Sequence, residues 1–241
     1  MGMLNNKVAF IAGGSGNVGE GIVRAFLNEG ATVIASSRKA EKLDRLRGYL
    51  EDVATDKLVP IVGNLGEIES AEKLRDEIAD KVGRLDAVVA CLGSSWNKNL
   101  PLTRVSMEEW QKYLFTNLTT HFVTARTFLP VLAETNGSSY TFLGGGATTF
   151  PVPNYSVVAI PAAAQLMMAK VVMQEMENSG VRINEVIAND WVETRSSKDK
   201  AKPSWLTADD IGKYIAWLAS DDAEIVNGTV PYLQKKMNPF S

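Results

Sequence analysis

Between positions 12 and 19 the chain reads Ala-Gly-Gly-Ser-Gly-Asn-Val-Gly, a run whose spacing suits the handling of phosphate. Gly14, Gly16 and Gly19 follow a G-x-G-x-x-G pattern, and Gly13, Gly16 and Gly19 a G-x-x-G-x-x-G pattern. Between a strand and a helix, glycines at this spacing allow a tight turn, let the backbone approach a pyrophosphate, and let the helix pack closely. The unpaired amides and positive end of the helix then favour phosphate oxygens. Gly13, Ser15, Gly16, Asn17, Val18 and Gly19 are therefore candidate dinucleotide-binding residues; a turn that serves only the fold is the alternative. Further on, a second apolar run ends in Ala35-Ser36-Ser37-Arg38. An acidic residue there would accept hydrogen bonds from ribose hydroxyls, whereas Ser37 and Arg38 offer donors and a positive charge suited to a 2′-phosphate. The expected cofactor is NADP, with NADPH preferred over NADH. The competing reading makes Arg38 a surface residue that begins the next helix.

Such a loop works only if a strand delivers it and a helix opens from it. The 241 residues, 45% hydrophobic and 22% charged, have the composition of an ordinary globular protein. Short β-branched or apolar runs alternate with stretches of helical period from end to end, predicting an α/β fold: a single Rossmann-like, doubly wound parallel sheet with helices on both faces. Strands are predicted at Val8–Ala12, Thr32–Ala35, Leu58–Val62, Asp86–Ala90, Tyr140–Leu143, Arg182–Ile187 and Thr229–Leu233. Helices are predicted near Val18–Asn28, Ala40–Val53, Ile68–Val82, Met107–Leu132, Pro161–Met176 and Ala208–Ser220. With no linker or repeat in view, residues 1–241 are expected to form one domain. Two loops stand out by composition, the glycine- and proline-rich Gly144–Asn154 and the lysine-rich Asp190–Trp205. Both follow strands, on the side of an open α/β sheet where ligands bind.

The net charge of −3 gives no broad basic field and argues against a nucleic-acid partner. Cys91 is the only cysteine, so neither an intramolecular disulfide nor a thiolate metal site is expected, and a reducing cytoplasm fits best. The Met1–Asn6 segment lacks the order of a signal peptide, and no run approaches the roughly 18 consecutive apolar residues of a membrane span.

At these residues the chain resembles the short-chain dehydrogenase/reductase family, over nearly its whole length. Beside the glycine loop, Leu85-Asp86-Ala87-Val88-Val89 with Gly93 resembles the family's fourth strand, and Asn117 in FTNLTTHF its helix asparagine. VRINEVIANDWVET, containing Thr194, resembles the sixth strand and its loop, and LASDDAEIVNGTV the C-terminal segment. The glycine spacing is similar to the extended and atypical branches, the length to the short branch. The resemblance implies hydride transfer between a nicotinamide and a carbonyl or alcohol, with Tyr155 and Asn117 as catalytic candidates. Gly93, Thr194, Asn64 and Leu65 join the cofactor-binding candidates.

The chain departs from the family where proton chemistry is done. Four residues beyond Tyr155, where the family has a lysine, stands Ala159, and Gly144 and Gly145 occupy the place of the serine. The usual Asn-Ala-Gly is Ala90-Cys91-Leu92-Gly93, and the usual Pro-Gly before the substrate loop is Asn189-Asp190. A phenol ordinarily ionises near pH 10, so a tyrosine base at neutral pH needs about 4 kcal/mol of help. Reduction asks less, because a neutral phenol donates a proton without first losing it. Thr148 and Thr149, or Ser94 and Ser95, could supply the missing hydroxyl, although loop Ser and Thr more often cap or turn the backbone. His121, four residues after Asn117, is more often packing than catalytic in such a setting, and Lys170 lies too far along its helix to replace a lysine at i+4. Lys198, Lys200 and Lys202 could attract an acidic substrate or could simply be solvated.

The expected function is an NADP-binding oxidoreductase biased towards reduction of a small carbonyl or related substrate. One alternative is a catalytically silent relative that senses cofactor or serves as a non-catalytic subunit; another is non-redox lyase or isomerase chemistry on the same scaffold. The resemblance implies a homo-oligomer, a dimer or tetramer, or pairing with a related subunit, through the long helices that contain Asn117 and Tyr155; apolar residues there in excess of one buried stripe, including Met167, Met168, Val171 and Val172, fit an interface. A deep core would use the same residues. The ending PYLQKKMNPFS lacks the paired glycines that often close the family.

Overall fold

A computed structural model describes residues 2–235; the last six residues of the glycine-poor ending lie outside the described residues. The chain alternates strand and helix: β1 (Val8–Ala12), α1 (Asn17–Asn28), β2 (Thr32–Ser37), α2 (Ala40–Tyr49), β3 (Leu58–Val62), α3 (Ile68–Val82) and β4 (Ala87–Ala90). The second half holds α4 (Met107–Leu114), α5 (Thr120–Ala133), β5 (Ser139–Gly145), α6 (Ser156–Glu175), β6 (Arg182–Ala188), β7 (Val192–Glu193), β8 (Leu206–Thr207), α7 (Ala208–Ala219) and β9 (Tyr232–Leu233). Seven strands form one parallel sheet in the order β3-β2-β1-β4-β5-β6-β9, and β7 pairs with β8 separately. The order reverses between β1 and β4, which opens a crevice at the carboxyl ends of those strands.

Side-chain alternation explains the layers. Along β1, Ala9 and Ile11 face the core beneath α1, α2 and α7, while Val8, Phe10 and Ala12 face the core beneath α3, α5 and α6. All five β1 residues are buried, as a central strand covered on both faces requires. α1 and α7 pack closely because Gly21 and Gly212 lack side chains: a Cβ on Gly212 would lie 2.4 Å from the Gly21 carbonyl oxygen. A reciprocal capping box between Thr207 and Asp210 starts α7.

Several elements differ from their sequence-based boundaries: α2 stops at Tyr49 rather than Val53, β2 runs on to Ser37, β5 covers Ser139–Gly145, and three further departures are larger. The helix predicted over Met107–Leu132 is broken into α4 and α5 by a π-helical turn at Phe115–Thr119, which carries Asn117. Helix α6 starts at Ser156, five residues before the predicted start, and so carries Pro161 inside it, where the ring leaves the Val157 carbonyl without its usual i→i−4 partner. The last predicted strand, Thr229–Leu233, shortens to Tyr232–Leu233, because Glu185 and Asn184 of β6 meet residue 229 outside a regular ladder. By length and mean hydropathy of 1.7, α6 alone would pass for a membrane span; here it packs on β5 and β6.

Candidate active site

The glycine turn has the geometry that its sequence demands. Gly13 has φ +84°, and a Cβ there would lie 2.0 Å from the Cys91 carbonyl oxygen; on Gly19 it would lie 2.1 Å from the Gly13 carbonyl oxygen. The turn can thus close against β4 only with glycine at both places. Gly16 is the N-cap of α1 and supplies no side-chain cap, so the first amides of the helix are open to an anion. These open amides and the missing Cβ atoms fit a pyrophosphate.

From this turn the crevice runs two ways. One arm, about 200 Å3, is lined by Ser15, Ser37, Arg38, Asn64 and Leu65, and by Lys42, which sequence reading missed. Lys42 sits in the first turn of α2, and only the way the chain turns from Arg38 through the extended N-cap Lys39 brings it to the same arm. Among the described residues no carboxylate lines this arm. Asn64 turns the chain after β3 by accepting from the Gly66 amide at 3.0 Å.

The other arm, about 590 Å3, passes Asn17, Val18 and Gly19 and ends between β5, α5 and α6. Its wall includes Gly93, Asn117, His121, Gln165 and the glycines at 144–146. The π turn holds Asn117 so that its Oδ1 accepts from the Ser94 amide at 2.6 Å, while its buried Nδ2 has no protein partner. His121 Nε2 donates to the Leu92 carbonyl at 3.1 Å, which leaves Nδ1 as the lone-pair nitrogen, buried and unpartnered. Burial pulls the His121 pKa down to about 4, so the ring is neutral. Burial pushes the Cys91 thiol up to about 12, which removes it as a nucleophile at neutral pH.

Two candidate residues stand apart from the crevice wall. Tyr155 is the N-cap of α6, and its side chain packs with the Trp96, Tyr113 and Val157 cluster rather than lining either arm. The α6 residues on the wall are Val158, Ala162 and Gln165, none of them cationic. Thr194 lies in the loop after β7, with its hydroxyl 3.1 Å from those of Ser196 and Ser197; it lines a neighbouring cavity of about 340 Å3. That loop is tied to α1 by Asn17 Nδ2 donating to Ser196 Oγ at 2.8 Å and by an Arg195–Glu20 ion pair at 3.1 Å. Of the substitute hydroxyls, Ser94 and Ser95 line the deep arm, whereas Thr148 donates to the Gly145 carbonyl at 2.5 Å and is committed to its turn. Lys198, Lys200 and Lys202 are exposed.

Fold and crevice together define a dinucleotide-binding α/β protein. A family model described as enoyl-(acyl carrier protein) reductase matches residues 13–235. The chain belongs to the short-chain dehydrogenase/reductase family, whose members are oxidoreductases. It is 26% identical over 239 residues to a 3-oxoacyl-(acyl-carrier-protein) reductase FabG from Thermotoga maritima, covering 94% of this chain and 96% of that one. It is also 26% identical to a meso-2,3-butanediol dehydrogenase from Serratia marcescens, over 93% of this chain and 91% of the relative. A short-chain dehydrogenase/reductase structure from Burkholderia xenovorans superposes with a TM-score of 0.87 at 24% identity, covering 98% and 97% of the two chains.

Proposed function

We propose that this protein is an NADP-dependent reductase of a small carbonyl compound. The observation that carries the reading is the charge of the first arm, where Arg38 and Lys42 stand with Ser37 and, among the described residues, no carboxylate opposes them. Two cations beside hydroxyl donors favour a 2′-phosphate over a bare ribose diol. The open amides of α1 hold the pyrophosphate, and Gly93 and Asn117 border the place for the nicotinamide half. Bound there, the cofactor supplies hydride. Tyr155 remains the family's proton donor in this reading, which requires its ring to leave the Trp96 cluster for the cavity.

Calorimetric titration with NADPH and NADH tests the cofactor assignment. NADPH should bind at least tenfold more tightly, and Arg38→Asp should abolish that preference. Equal affinities in the wild type would overturn it. A ketone and enone panel with NADPH, including a 3-oxoacyl thioester and a diketone in view of the relatives' names, then tests reduction.

A second reading is favoured by one observation, the position of Tyr155 off the cavity wall with Ala159 one turn beyond it. A cofactor-binding subunit without turnover of its own would look like this. If that is the case, wild type and Tyr155→Phe show the same absence of reduction, and Ala159→Lys with Gly145→Ser creates activity.

A further inference from the structure

The deep arm carries polar groups that neither the fold nor the proposed hydride transfer uses. His121 and Gln165 are each only 2% exposed, both line the cavity, and His121 Nδ1 and Gln165 Nε2 have no protein partner. Behind the same wall Glu185 is fully buried in β6, with both carboxyl oxygens unpartnered. Gly144 makes room for this group: a Cβ there would lie 2.7 Å from Glu185 Oε1 and 3.4 Å from Gln165 Oε1. The same position is 2.7 Å from Ile187 Cδ1 and so is closed, which places the Glu185 carboxyl against the Gly144 backbone behind the wall while Gln165 faces the cavity. An unpartnered buried polar group is costly to the fold, so a cluster of them is retained at a cost that a ligand would remove.

We propose that His121 and Gln165, with Asn117 beside them and Glu185 backing the wall at Gly144, form a hydrogen-bonding subsite for a neutral ligand segment that bears two neighbouring oxygens, at least one of them a hydroxyl. The donor and acceptor inventory sets the class. Asn117 Nδ2 and Gln165 Nε2 donate and call for ligand acceptors, whereas His121 Nδ1 accepts and calls for a ligand hydroxyl. Burial, opposed in part by the charge of Lys170, raises the Glu185 pKa to about 8, so at neutral pH this group is chiefly a carboxylic acid and puts no full negative charge behind the wall. Among the described residues no Lys or Arg lines the arm, and Asp190 does, so an anionic group is disfavoured. Two sources carry this chemistry: the diol of the ribose next to the nicotinamide, and a hydroxyketone or diol substrate. Only the choice between these sources rests on the reductase reading.

The experiment compares wild type, Gln165→Leu and Glu185→Gln by calorimetry and thermal melting. The probes are NADPH, 2′,5′-ADP, acetoin and dihydroxyacetone, with pyruvate as an anionic control. Gln165→Leu keeps the volume and removes the unpartnered amide, so the ligand-free variant should melt higher than wild type, opposite to the result for an amide that serves the fold. It should also weaken NADPH, or the hydroxyketones, at least tenfold, while 2′,5′-ADP, which lacks the second ribose, binds as before. Glu185→Gln should weaken the same probe severalfold. Loss confined to NADPH assigns the subsite to the ribose; loss confined to hydroxyketones assigns it to substrate. If wild type fails to bind NADPH but binds a hydroxyketone that the variants lose, the subsite stands and the reductase reading falls. Unchanged binding of every probe, no binding of any probe to wild type, tighter binding of pyruvate than of the hydroxyketones, or a lower melting point for Gln165→Leu overturns the proposal.

Discussion

At the scale of single residues, burial without partners governs the chemistry. Glu185 ordinarily ionises near 4.5 but near 8 when folded, so between those values the folded chain holds the extra proton and stability falls as pH rises. His121 works the other way: its pKa drops from 6.5 to about 4, and stability is lost as pH falls through that range. The two oppose one another below pH 6.5, and Glu185 acts alone above it. Between pH 6.5 and 8 wild type should therefore lose about 2 kcal/mol relative to Glu185→Gln, a difference of roughly 4 to 8 °C in melting point. Melting curves for both proteins across that interval check it; parallel curves would mean that the carboxyl is ionised throughout. Tyr155 belongs to the same scale. Under the reductase reading Tyr155→Phe should slow ketone reduction at least tenfold, measured as kcat with NADPH; an unchanged rate would leave the ring as a packing residue of the Trp96 cluster.

At the scale of elements, the site depends on how α1 is held. Its N-terminal turn offers the phosphate amides, and its far face lies against α7 through Gly21 and Gly212. Gly212→Ala places a methyl 2.4 Å from the Gly21 carbonyl oxygen, a contact that one of the helices must relieve by moving. Overpacking of this kind costs about 1 to 3 kcal/mol, and for a chain of this size roughly 2 to 4 °C per kcal/mol. We expect the variant to melt lower and, because the glycine turn moves with α1, to bind NADPH more weakly; a drop in melting point with unchanged affinity would mean that α7 alone yields. The Arg195–Glu20 pair is a second hold, tying the loop after β7 to the same helix. Its exposed arginine limits its worth to about 1 kcal/mol or less, so Arg195→Ala should raise the NADPH Kd no more than about fivefold.

At the scale of the whole molecule, Phe122 on α5 and Met167 and Val171 on α6 remain about half exposed. Apolar side chains gathered on two long helices support assembly into a homo-oligomer. Light scattering should find a dimer or tetramer, and Met167→Glu with Phe122→Glu should yield monomers; a monomeric wild type would leave these residues as an unpaired face. Much of this molecule was legible in sequence. Short continuous apolar or β-branched runs and helical stretches of period 3.6 are local properties, and they determined the strand and helix alternation and hence the parallel sheet. The glycine turn was legible for the same reason, since backbone conformation at Gly13 is decided within a few residues. Position in space was not. Whether Tyr155 lies on the cavity wall depends on where α6 begins and on what Trp96 and Tyr113 offer its ring. The grouping of Glu185, Gln165 and His121 from β6, α6 and α5 depends on packing between elements far apart in the chain. Local residue types therefore determined the fold and the phosphate turn by themselves, and only the tertiary structure decided which polar groups face the cavity, because burial and pairing are properties of the assembled core.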